Sequence, residues 1–127
     1  MVVIADETYA LGLGMRRRVD PTELRAALEW GLGRSQGRLR EVITLHRKAE
    51  QPSGRALIRL ARELDLRPVF VRESELPGAT PSRSRAEKLL GLPGSACEGV
   101  LLARGYEIVE GKRRFGRTVT AALGRRG

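Results

Sequence analysis

Apolar and polar positions change period several times along the chain. Tyr9–Gly14, YALGLG, is a short, mostly apolar run that predicts a strand. From Asp20 the period becomes helical: Leu24, Ala27, Leu28 and Leu32 fall on one face. Asp20 is a good N-cap, Pro21 suits the first helical position, and Glu23 completes an acidic capping box. Gly31 and Gly33 end this helix, and Trp30 falls at the edge of its apolar face.

Glu41–His46, EVITLH, is rich in β-formers and predicts a second strand. A helix follows, with Ser53 as its cap and Leu57, Ile58, Ala61 and Leu64 as its apolar stripe. Arg67–Val71, RPVFV, is short and continuously apolar, as a strand buried on both faces would be. Residues 77–85 form a loop of Pro, Gly and Ser. SRAEKLLG (84–91) and GSACEGVLLARG (94–105) predict two further helices. YEIVEG (106–111) and RTVTAALG (117–124) predict closing strands, which can run antiparallel.

This order implies an α/β fold: a single three-layer α/β/α domain with a mainly parallel, mixed sheet between its helices. The domain spans residues 1–127; residues 1–8 fit a short strand or a tail, and 124–127 a tail. In such sheets ligands bind beyond the carboxyl ends of the strands.

Composition narrows the chemistry. The 127 residues are 41% apolar and only 4% aromatic, so the core must be aliphatic. The formal net charge of +9 predicts attraction to anions. Lys48, Lys88 and Lys112 are the only lysines among the 24 basic residues; the rest are arginine. Cys97 is the sole cysteine and His46 the sole histidine. An internal disulfide, a cysteine metal site and a multi-histidine metal site are therefore excluded, and no cofactor or metal is expected. MVVIADETYA lacks the basic start of a signal peptide and no run approaches a membrane span, so a cytoplasmic protein without membrane contact is expected.

Four constellations could carry chemistry. Gly12-Leu13-Gly14-Met15-Arg16-Arg17 lies where a strand turns toward a helix. Its glycines would let a ligand approach the backbone while guanidinium groups pair with carboxylates or phosphates. A dinucleotide fingerprint would need a third glycine where Arg17 stands. A plain turn with solvated arginines fits as well. Thr44, His46, Lys48 and Glu50 alternate at the end of the second strand, although Lys48 and Glu50 would equally serve as a simple ion pair. Glu98 sits in the first turn of a helix, where the helix dipole alone explains an acid, and Cys97 beside it fits a small buried residue. Thr118 and Thr120 share one strand face behind Lys112, Arg113, Arg114 and Arg117. Nucleic acid would also be attracted to this charge. Against it stand scarce aromatics, scattered arginines and the lack of an RNA-binding signature.

The stretches GLGMRR, ITLHRKAEQPSGRALIRLARELDL, GSACEGVLLARG and KRRFGRTVTAAL, in this order, resemble the CobE family of small cobalamin-biosynthesis proteins. That family is similar to the C-terminal domain of the larger CbiG proteins. The resemblance spans roughly Leu11 to Leu123. The family pattern has a glycine-rich start ending in Cys-Arg, a Thr-x-x-x-Lys-x-x-Glu-like segment, a helix with Ala-Glu or Cys-Glu, and a closing Val-Thr-x-Ala strand. Met15 stands where many relatives have cysteine, so a thiol is not required there. Lys48 and Glu50 are one residue closer together than in the pattern.

The resemblance implies a role in building the corrin ring of vitamin B12, by binding a polycarboxylate corrinoid or precorrin intermediate. CbiG-type proteins open the ring-A lactone of cobalt-precorrin-5A, so assistance to that hydrolysis is a second expectation. Lys48 with Glu50, or His46, would then activate water while Arg16 or Arg17 steadies the oxyanion. Gly12, Gly14, Arg16, Arg17 and Thr44 would bind the ligand together with Glu98, Lys112, Thr118 and Thr120. Dispersed guanidinium forks suit a ring edged with carboxylates. A non-catalytic scaffold for other corrin-pathway enzymes and a nucleic-acid-binding module are the alternatives.

Overall fold

β1, Thr8–Met15, is the central strand of a five-stranded sheet. The computed structural model describes residues 7–77 and 95–127. After β1 come α1 (Pro21–Arg34), β2 (Leu39–Leu45), α2 (Pro52–Glu63), β3 (Arg67–Val71), α3 (Ala96–Ala103), β4 (Glu107–Phe115) and β5 (Val119–Arg126). Single 3₁₀ turns lie at His46–Lys48 and Glu73–Glu75. The strand order is β3-β2-β1-β5-β4. β1, β2 and β3 are parallel, whereas β5 runs antiparallel to both β1 and β4. The α/β class and mixed sheet are thus as the element order implies. The expected SRAEKLLG helix (84–91) and most of the 77–85 loop lie outside the described residues, as do residues 1–6.

Alternation along the central strands divides the core into two layers. Leu11, Leu13 and Met15 face α1 and α2, where they pack with Leu24, Ala27, Leu28, Leu57, Leu60 and Ala61. Ala10, Ile43, Leu45 and Val71 face α3 and pack with Cys97, Val100 and Leu101. Helices therefore cover both faces of the sheet. α3 lies so close to β1 that a Cβ on Gly12 would stand 1.9 Å from the Cys97 carbonyl oxygen. Gly12 is spent on helix-to-sheet packing and offers no approach for a ligand, which corrects its assignment as a binding residue. Among the described residues, no helix is long and apolar enough to cross a membrane.

Other local expectations change for physical reasons. α1 continues through Gly31 and Gly33 to Arg34 and stops at Ser35; the left-handed Gln36 and Gly37 (φ 53° and 78°) turn the chain. Asp20 does cap it, accepting from Thr22 N at 2.8 Å, but Glu23 does not reach back to Asp20 N. That amide donates instead to the Thr118 hydroxyl at 3.0 Å, and the same hydroxyl donates to Glu23. The capping box is closed through a residue of the β4–β5 turn. In α2 the N-cap is Gln51, Pro52 takes the first helical position, and Ser53 is buried inside the first turn rather than capping it. Proline's fixed φ suits that first position. β3 is an edge strand with Arg67 exposed, not a strand buried on both faces. Pro68 lacks an N–H and is tolerated at an edge.

The chain end is no tail. β5 runs to Arg126, whose guanidinium lies 4.3 Å over the Tyr106 ring and donates to the Arg104 carbonyl. Beneath it Glu41, nearly fully buried, accepts from the Tyr106 hydroxyl at 2.9 Å and pairs with Arg104 at 3.2 Å. Burial and the Glu41 carboxylate push the Tyr106 hydroxyl up to about 12. This cluster fastens β2, β5 and the end of α3 together at the amino edge of the sheet.

Candidate functional site

The carboxyl ends of β1 to β4 and the β4–β5 turn gather at the opposite edge, where the three consecutive arginines diverge. Arg16 turns to the hairpin: its backbone N–H donates to Thr118 O at 3.0 Å and its Nε–H to Arg117 O at 2.8 Å. Arg17 goes the other way, its carbonyl accepting from Ser53 N at 3.0 Å. It lies near enough to Lys48 to help lower that ammonium's pKa, chiefly depressed by burial and then by Arg47. Arg18 is exposed.

A cleft of about 640 Å³ opens on the Arg16 side, lined by Gly14, Met15, Arg16, Arg114, Arg117, Thr118, Val119 and Thr120. Register explains its composition. Thr120 lies opposite Gly14 on one side and Arg114 on the other, so these positions share one face across β1, β5 and β4. The Thr120 hydroxyl occupies the space above Gly14: a Cβ on that glycine would come 2.5 Å from it. Glycine is needed there so that the threonine can stand at the floor of the cleft. Arg16, Arg114 and Arg117 form its cationic rim, and none of them makes a salt bridge among the described residues. Three guanidinium groups without carboxylate partners among the described residues thus line one concavity, and guanidinium forks are the groups that pair bidentately with carboxylates.

Four of the sequence candidates therefore meet here: Gly14, Arg16, Thr118 and Thr120. The Thr118 hydroxyl spends its one donor on Glu23 and accepts from Asp20 N, so it has no hydrogen left to give an anion and shapes the cleft instead. Those bonds, with the amides of Thr118 and Arg117, hold the Glu23 carboxyl below the usual carboxylate range despite some desolvation.

The other candidates lie elsewhere. Thr44 is buried, donating to the Leu13 carbonyl at 2.9 Å on the α1/α2 face. Glu98 is fully buried in α3 and accepts from Lys112 N at 3.0 Å, a tie between α3 and β4 that uses Lys112 through its backbone. His46 sits in the 3₁₀ turn rather than in β2, exposed like Glu50, and only Lys48 of the candidate catalytic trio is half-buried. The buried Cys97 thiol lies 3.2 Å from the Ser95 hydroxyl, and burial raises its pKa. Arg114 and Arg117 were visible only as parts of a basic run. The signal that selects them is their position relative to Thr120, which needs the strand register.

The fold and the cleft together define a small α/β domain with an arginine-rimmed cleft at the carboxyl edge of its sheet. The sequence matches the family model described as cobalamin synthesis G C-terminus over residues 9–124, and the chain belongs to that family. Solved structures share the fold. CobE, a protein from the cobalamin (vitamin B12) biosynthetic pathway, aligns with 99% of this chain and 98% of its own at 23% identity and a TM-score of 0.76. Cobalamin biosynthesis protein chiG from Agrobacterium tumefaciens str. C58 aligns at 22% identity and a TM-score of 0.61, covering 92% of this chain and 97% of its own. A cobalamin biosynthesis protein G homolog from Sulfolobus solfataricus aligns at 20% identity and a TM-score of 0.65, over 93% of this chain but 36% of that longer one. No curated protein sequence matches the chain.

Proposed function

We propose that this member of a cobalamin-biosynthesis family binds a polycarboxylate corrinoid intermediate at the carboxyl edge of its sheet. The observation that carries the reading is the rim of Arg16, Arg114 and Arg117 around a glycine-floored cleft, with no carboxylate of the described residues paired to any of them. A corrinoid edged with acetate and propionate groups is too wide to enter a cleft of this size whole. Its edge fits: one or two side-chain carboxylates enter between the guanidinium forks while the macrocycle lies across the open face.

Binding is better supported than lactone hydrolysis. His46 is exposed and its imidazole has no hydrogen-bond partner among the described residues, and the cleft lining contains no carboxylate base. Lys48, on the Arg17 side, is not among the cleft's lining residues.

The test is an absorbance titration with hydrogenobyrinic acid, a cobalt-free polycarboxylate corrinoid, beside its fully esterified form. A saturable spectral change with the acid and none with the ester supports the reading. Equal responses to both, or none to either, would refute it.

A further inference from the structure

The turn between β4 and β5 supplies Arg117 to the rim, and it is held almost entirely by groups from distant parts of the chain. Glu23 Oε1 accepts from Arg117 N at 3.1 Å, from Thr118 N at 2.9 Å and from the Thr118 hydroxyl. From the same two residues Arg16 takes both carbonyls: Arg117 O through its Nε–H and Thr118 O through its backbone N–H. The N–H and C=O of Arg117 are thus both fixed by partners outside the hairpin. Gly116 adopts φ +67° and leaves room for the carboxylate, since a Cβ there would lie 1.9 Å from Glu23 Oε2. A left-handed glycine, two backbone amides and a threonine hydroxyl all converge on one side chain of α1, Glu23.

We infer that Glu23 is a positioning residue of the anion cleft, acting as a hydrogen-bond acceptor that fixes the Gly116–Thr118 turn and so aims Arg117 at the ligand. This inference rests on the anion-binding reading of the cleft and adds the residue that sets its geometry. Glu23 touches no ligand, because its Oε1 is fully engaged by the turn and its Oε2 is packed against Gly116. What matters is the acceptor oxygen rather than the charge, which separates this role from electrostatic steering or proton transfer.

The experiment compares Glu23→Ala, Glu23→Gln and Thr118→Val in two readouts. The first is the chemical shift of the Arg117 and Thr118 amide protons, taken without ligand. The second is the affinity for hydrogenobyrinic acid, measured on protein shown to be folded by the fluorescence of Trp30, the only tryptophan. Glu23→Ala should move both amide protons upfield and weaken binding by roughly tenfold, the scale of one lost charge-assisted contact. Glu23→Gln, which keeps the acceptor, should restore most of both. Thr118→Val, which keeps the two amide bonds, should fall between them and covers the case in which Glu23→Ala fails to fold. Unmoved amide resonances in Glu23→Ala, or a Glu23→Gln protein as weak as Glu23→Ala, would overturn the inference. A wild-type protein that does not respond to hydrogenobyrinic acid overturns the corrinoid reading instead, and the amide shifts then decide the role of Glu23 alone.

Discussion

Arg16 donates its Nε–H to the carbonyl of Arg117 at 2.8 Å, joining residues 101 positions apart. The bond ties the loop after the first strand to the turn before the last one, and it sets two guanidinium groups beside one cleft. Charge repulsion between them is a standing cost that an anion in the cleft would relieve.

Gly12 is a point of close approach between α3 and the sheet, where a Cβ would stand 1.9 Å from the Cys97 carbonyl oxygen. Gly12→Ala should destabilise the fold by about 1–3 kcal/mol, the usual range for overpacking a close-packed interior. Urea denaturation followed by Trp30 fluorescence should show an earlier midpoint. An unchanged midpoint would mean that α3 is free to shift.

Tyr106 should report alkaline loosening of the amino edge. Its hydroxyl is raised to about 12 by burial and by Glu41. A folded pKa above the unfolded one means stability that is complete below the unfolded value of 10 and is lost as pH rises toward 12. Tyrosinate absorbance should contain a step near pH 12 that Tyr106→Phe removes. The same step persisting in that variant would assign it elsewhere.

Cys97 should be inert in the native protein. It is fully buried, and burial raises its thiol pKa, so the reactive thiolate is scarce. Thiol reagents should label it only under denaturing conditions, and native protein treated with them should bind ligand unchanged. Rapid labelling of the folded protein would contradict this placement.

Glu23 should contribute a pH-dependent share of stability. Its folded pKa is lowered by the Thr118 hydroxyl and the turn amides. The gain is therefore present above the unfolded pKa and lost as pH falls through the folded one. Wild type should exceed Glu23→Gln in stability at neutral pH, and the two should converge below the ordinary carboxylate range. A difference that stays constant down to acid would rule out this linkage.

Local signals read well in the sequence, and partnerships across the chain did not. The Asp20–Pro21 start of α1 and the period of its buried face are set by neighbours within a few residues. The closing of that cap by Thr118 is invisible because the two lie 98 positions apart. Gly12 and Gly14 look alike in sequence, yet one admits a helix and the other a threonine hydroxyl. Within KRRFGR, the β-bulges between Ile108 and Arg113 decide the facing of each side chain. Arg113 stacks over Trp30 and Phe115 on the α1 side, while Arg114 reaches the cleft. A bulge shifts every later side chain to the other face, and nothing in the residue types marks its position. Arg125 and Arg126, which read as a free tail, are held by Glu107 and Tyr106.

The central claim is that the cleft, rather than diffuse positive charge, holds the anion. The most direct measurement is the affinity for hydrogenobyrinic acid of Arg114→Ala and Arg117→Ala beside an Arg55→Ala/Arg59→Ala protein. Arg55 and Arg59 are exposed on α2, away from the cleft. A charge-assisted hydrogen bond contributes about 1.5–3 kcal/mol, so each cleft variant should bind roughly ten- to a hundredfold more weakly. The α2 double variant, which loses more charge, should bind like wild type. Equal losses in all three proteins would contradict the account and leave only nonspecific attraction between a basic protein and an acidic ligand.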